Sequence, residues 1–146
     1  MLLAWEERRT TRDVDAVFET DGHGQLLREI RWVADHLALP RSWLNEQATM
    51  YAPADYRSGE GTVFDGTNLR VAAAAPAAVL AMKVRASRPT DVADIVFLLG
   101  MLDVSAIDEV IAIHDHWFPG DPLPQAKRMI VEDVLGGPPT SGTHSD

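Results

Sequence analysis

Residues 11–18 read TRDVDAVF, and how they are parsed decides the rest of the chain. Along an extended backbone successive side chains point to opposite faces. Asp13 and Asp15 then share one face, and Val14, Ala16 and Phe18 share the other. A half-buried strand of this kind presents two carboxylates side by side, close enough for both to ligate one hard cation. A solvated strand face is the competing reading of so short a pattern. Upstream, residues 2–9 are predicted to end a helix, with Arg8 and Arg9 at its C-terminal side, where cations suit the helix dipole.

Downstream, ETDGHG is turn material. Between residues 25 and 37 the apolar set Leu26, Leu27, Ile30, Val33, Ala34 and Leu37 keeps helical spacing, and Pro40 follows as a stop. YAPADYRSGEG is rich in Gly, Pro and polar residues and is predicted as loop. TVFDGTNLRVAAAA predicts two strands around Asp65 and Gly66, with Asp65 in the turn and an undetermined register. Pro76 suits the first turn of a helix reaching about residue 87, and Asp91 opens another reaching about 102. Two further helices are predicted over roughly 105–117 and 123–135, and GGPPTSGTHSD is a disordered-looking tail. The order gives an α+β class in one domain over residues 1–135, with a strand-bearing half to about 75 and a helical half from 76.

Bulk composition narrows the function. The chain has 146 residues, room for one domain with a real core. With 46% hydrophobic and 24% charged residues it is ordinary globular material. No apolar run is long enough to span a membrane, and MLLAWEERRT has the wrong charge order for a signal peptide. A cytoplasmic protein without membrane contact is expected. The absence of cysteine excludes disulfides and thiolate metal sites, leaving oxygen and imidazole ligands. A formal charge of −9 argues against a broad basic coat for nucleic acid, so any RNA contact needs a local basic patch or screening metal ions.

Three stretches resemble one family, the nucleotidyltransferase-fold toxins of the AbiEii and MenT type within the DNA polymerase β-like superfamily. RRTTRDVDAVF is similar to their R-x-T-x-D-h-D strand, LPRSWLN to a segment after the first long helix in one branch, and VLAMKVRASRPTDVADIVFLL to their L-x-x-K-x-x-A-x-R-x-x-D-x-x-D-h region. The third is the most specific, because Lys83, Arg88, Asp91 and Asp94 keep both chemistry and spacing. The resemblance implies a toxin of a toxin–antitoxin pair that transfers a nucleoside monophosphate from an NTP to the 3′ end of tRNA. Asp13 and Asp15 would hold one or two Mg²⁺ ions, and Lys83 would meet a phosphate as a point charge. Arg12, Arg85 and Arg88 would help bind the nucleotide, and Asp91 or Asp94 would orient Lys83 or complete the acidic cluster. Implied partners are the NTP, tRNA and a cognate antitoxin protein. Two alternatives accompany this reading: an inactive module of the same fold acting through a protein partner, and nucleotide transfer to protein.

The chain departs from the superfamily pattern in one place. A Gly-Gly or Gly-Ser pair normally precedes the paired acids by about ten residues and lets backbone amides reach the phosphates. MLLAWEERRTT contains no such pair, which implies a shortened N-terminus, a member that works without the motif, or an inactive one. Thr11 adds a regulatory expectation: a phosphate there would put about −2 charge beside the two acids and compete with the triphosphate. Plain β-forming propensity explains Thr10 and Thr11 equally simply. His114, Asp115 and His116 suggest a metal site, yet side chains at i and i+2 diverge on a helix. Trp32, Trp43 and Trp117 read as core or interface anchors, and Tyr51 and Tyr56 as loop residues able to stack on a base.

Overall fold

The computed structural model describes residues 13–57 and 59–137. The predicted helix over residues 2–9, Thr11, Arg12 and nearly all of the predicted tail lie outside the described residues. The class is α+β, as the order of patterns predicts. The chain forms two compact units that meet in sequence at Ala74 and Ala75, and residues 53–57 belong with the second. Among the described residues no helix is long and apolar enough to cross a membrane.

The first unit contains β1 (Val14–Asp15), α1 (His23–Leu37), β2 (Leu44–Asn45), a 3₁₀ turn (Gln47–Tyr51) and the strands β3 (Gly61–Asp65) and β4 (Arg70–Ala73). β1 and β2 pair in parallel, Val14 opposite Leu44, with α1 as the crossover. The strand is shorter than the alternation of residues 12–18 suggests. Its ladder is held by Val14 N–H to Trp43 O at 2.6 Å and Ala16 N–H to Asn45 O at 2.8 Å, and β2 offers nothing beyond Asn45 to pair with. The alternation itself holds: Asp13 and Asp15 are exposed, Val14 and Ala16 half-buried.

α1 starts two residues earlier than its apolar spacing predicts, and its inner face buries Ile30 and Ala34. It ends where Ala38 turns left-handed at φ 53°, ahead of Pro40. The Trp43 indole N–H donates to Ile30 O at 3.1 Å, fixing the return segment against the helix. β3 and β4 form an antiparallel hairpin with a bulge between Thr62 and Phe64. Asp65 pairs with Arg70 and so ends the strand instead of sitting in the turn, which is the four-residue loop 66–69 closed by Gly66 N–H to Leu69 O. A side chain at Gly66 would meet the far end of the exposed Phe64 ring at 2.8 Å and push it aside.

The second unit is helical: α2 (Pro76–Ala86), a 3₁₀ turn (Pro89–Asp91), α3 (Val92–Met101), α4 (Ile107–Trp117) and α5 (Gln125–Leu135). α2 is its centre, with Pro76 at the first turn and Ala78, Val79, Leu80, Ala81 and Val84 buried. Each fully buried Val or Leu contributes about 1.5–3 kcal/mol relative to exposure. The small Ala78 and Ala81 let Trp117 and Phe118 pack closely on α2, while Ile95, Leu98 and Leu99 of α3 complete the core. α4 starts without a side-chain cap from Ser105. The segment leading into it is held from within the helix, as Glu109 accepts from Ser105 N–H and Ala106 N–H, both at 2.9 Å. These two bonds hold the Glu109 carboxyl below the ordinary glutamate range.

Candidate functional site

The acids of the opening stretch sit on either side of Val14, whose side chain faces inward. Both project from the end of the ladder into solvent. Among the described residues no group of three His, Asp or Glu side chains gathers to hold a metal. Two carboxylates nonetheless fit Mg²⁺, which binds through one or two carboxylates plus substrate phosphates and keeps several waters.

The helical unit gathers the other predicted residues. Lys83 occupies the last turn of α2, and a left-handed Ser87 at φ 46° turns the chain so that the 3₁₀ turn and α3 fold back beside it. The Lys83 ammonium meets Asp91 Oδ1 at 2.7 Å and Asp94 Oδ2 at 3.0 Å. Asp91 is buried, 4% exposed, and its second oxygen accepts Arg88 N–H at 3.2 Å. A solvated acid stabilised by the dipole of α3 would not be buried and ion-paired in this way. Burial by itself would lower the Lys83 pKa, but the hydrogen bonds and the charges of Asp91 and Asp94 outweigh it and leave the ammonium above the ordinary lysine value. Lys83 is therefore a fixed cation at neutral pH, unsuited to act as a base. Two of its three N–H donors are taken by carboxylates, and the remaining one can meet a third oxygen.

Arg85 lies two residues further along α2, roughly 160° round the helix from Lys83. Its guanidinium pairs with Asp121 and lies over the Phe118 ring, 4.5 Å from the centroid. Lys127 of α5 donates to the carbonyl oxygens of Arg85 and Ala86 and so closes the C-terminus of α2. Sequence spacing gave no hint of Lys127, which reaches its partners across 42 residues. Arg88 presents an exposed side chain at the turn between α2 and α3. His114 and His116 do diverge: His114 is buried, with Nδ1 3.2 Å from Asp115 Oδ1, while His116 is exposed. Tyr51 closes the 3₁₀ turn after β2, and Tyr56 lies in the loop assigned to the helical unit.

Comparison with protein-family models, with curated proteins and with solved structures finds no match. The resemblance to the toxins rests on the quoted residues.

Proposed function

We propose that the chain is a nucleotidyltransferase acting as the toxin of a toxin–antitoxin pair, with the 3′ end of tRNA as acceptor. The observation that supports it is the lysine held between Asp91 and Asp94, in the spacing that the resemblance ties to triphosphate handling. In the reaction a hydroxyl oxygen of the acceptor attacks the α-phosphorus of the NTP. The new P–O bond forms as the bond to pyrophosphate breaks, and the hydroxyl proton passes to a carboxylate or to water. Asp13 and Asp15 would hold Mg²⁺, which would supply charge neutralisation of the triphosphate and activation of the attacking hydroxyl. Lys83, kept protonated by its two acids, offers its remaining donor to a phosphate oxygen. Asp91 and Asp94 set the direction of that donor, and Arg88 adds a further cation at the same turn. A cognate antitoxin protein is the expected partner.

The test incubates the chain with total tRNA, Mg²⁺ and each α-³²P-labelled NTP, beside Asp13→Ala and Asp15→Ala. Label on tRNA that both variants abolish is the expected result. Label on protein instead moves the acceptor to protein side chains. If no acceptor is labelled, and Mg²⁺-dependent NTP binding is also absent, the catalytic reading falls in favour of a binding module.

A further inference from the structure

Trp32 occupies an unusual place for a tryptophan. It lies two residues from each of the buried Ile30 and Ala34, roughly 160° round the helix from both, at the centre of the outward face of α1. Its side chain is 62% exposed. His36, one turn on, stacks on the indole with ring centroids 5.0 Å apart and planes 8° from parallel. Arg28 stands one turn before Trp32 on the same ridge, over the bare Gly24, and Arg31 lies beside it.

Among the described residues the other lysine and arginine side chains have partners. Lys83, Arg85 and Arg70 hold carboxylates, and the exposed Arg41 comes within 3.9 Å of Asp35. Lys127 and Arg128 hold backbone carbonyls. Arg57 and Arg88 have partners of their own. Among the described residues, Arg28 and Arg31 are the arginine and lysine side chains without a partner, and both flank the exposed stack. Within α1 the two arginines stand beside the exposed Glu29 and Asp35, and Asp35 faces Arg41 at 3.9 Å, within a chain of formal charge −9.

We propose that this face of α1 binds single-stranded RNA. A base extends the Trp32–His36 stack, and Arg28 and Arg31 take the flanking phosphates. A convex helix surface can stack on a base that has left a duplex but cannot reach one inside it. The His36 ring nitrogens supply a partner for a ribose 2′-hydroxyl, which favours RNA over DNA. The surface does not depend on the transferase reading.

The test is fluorescence anisotropy of a labelled, unstructured RNA of about 12 nucleotides. The salt is about 50 mM, without NTP or Mg²⁺, so that failure of nucleotide transfer leaves the readout untouched. Trp32→Ala should raise Kd about tenfold, Trp32→Phe should keep most of the affinity, and Arg28→Ala and Arg31→Ala should each reduce the salt slope by about 0.7. The position is exposed, so the variants fold, which circular dichroism checks. No RNA binding by the native chain, or equal binding by Trp32→Ala, overturns the proposal. So does equal affinity for duplex RNA or for single-stranded DNA of the same sequence. Self-association abolished by Trp32→Ala, with no RNA bound, would make the face a protein contact.

Discussion

Replacing Lys83 with Met keeps the aliphatic stem and removes the charge that Asp91 and Asp94 share. Asp91, its side chain 6% exposed, loses the 2.7 Å ionic bond and retains the Arg88 N–H at 3.2 Å. A hydrogen bond to a charged group contributes about 1.5–3 kcal/mol, and stripping the partner from a buried charge raises the loss toward about 3–5 kcal/mol. Lys83 is 27% exposed, which screens part of this. Asp94 is 35% exposed, so its bond adds only about 0.2–1 kcal/mol. The expected destabilisation of the helical unit is about 3 kcal/mol. With a urea m value of about 2 kcal/mol/M, the unfolding midpoint followed by circular dichroism falls by about 1.5 M. The double variant Lys83→Met/Asp91→Leu should recover most of that loss, because no unpaired charge remains buried and Asp94, 35% exposed, is left to solvent. Lys83 titrates above its ordinary value of 10.5, so its contribution is complete below that pH and is lost as pH rises through the folded value. The gap between native and Lys83→Met should therefore be flat through neutral pH and close only in strong alkali. A single-variant loss under about 0.5 kcal/mol, or a double variant no better than the single, would refute the interdependence of the pair.

Three further outcomes follow from the same geometry. Ala38→Gly should raise stability by about 0.5–1 kcal/mol in thermal unfolding, because Ala38 sits at φ 53° and ψ 39°, where a Cβ is penalised; a fall in melting temperature contradicts it. Glu109→Gln should lower the melting temperature at pH 7, and the deficit should vanish as pH falls: a carboxyl held below its ordinary value of 4.5 stabilises above that pH and loses its effect on protonation through the folded value. Lys127→Met should cost about 1 kcal/mol in urea unfolding by freeing the last carbonyls of α2, and an unchanged midpoint would mean that water replaces the ammonium without loss.

The helices were legible because their signals are local. Pro76 marks the start of α2 and the i, i+3, i+4 spacing of Leu26, Leu27, Ile30 and Ala34 marks α1, each within a residue or two of its observed span. The pairing of Lys83 with Asp91 and Asp94 was half legible. The family resemblance implied an acid that orients the lysine, but the left-handed turn at Ser87 that brings both acids onto one ammonium has no glycine to announce it. The strands were less legible. The length of β1 is set by its short partner β2, and the hairpin turn is set by the Gly66 to Leu69 bond instead of the Asp65-Gly66 pair. Trp32 is no core anchor at 62% exposure, and residue type says nothing of azimuth. Its place opposite Ile30 and Ala34 could have been read from the helical wheel.

The distribution of cations connects these observations. In the helical unit positive side chains complete the fold: Lys83 is shared by two acids, Arg85 bridges Asp121 and Phe118, and Lys127 and Arg128 satisfy carbonyls at helix and loop ends. Their charge is largely balanced where it stands, and what escapes into solvent there comes from the acids. A polyanion approaching such a surface gains little long-range attraction. An unpaired arginine keeps its field, and Arg28 and Arg31 keep theirs beside an aromatic plane on the outer face of α1. The expected signature of nucleic-acid contact in this chain is therefore a shallow salt slope carried by two or three phosphates. The affinity should come mainly from stacking and fall with Trp32, instead of the steep salt dependence of a basic protein.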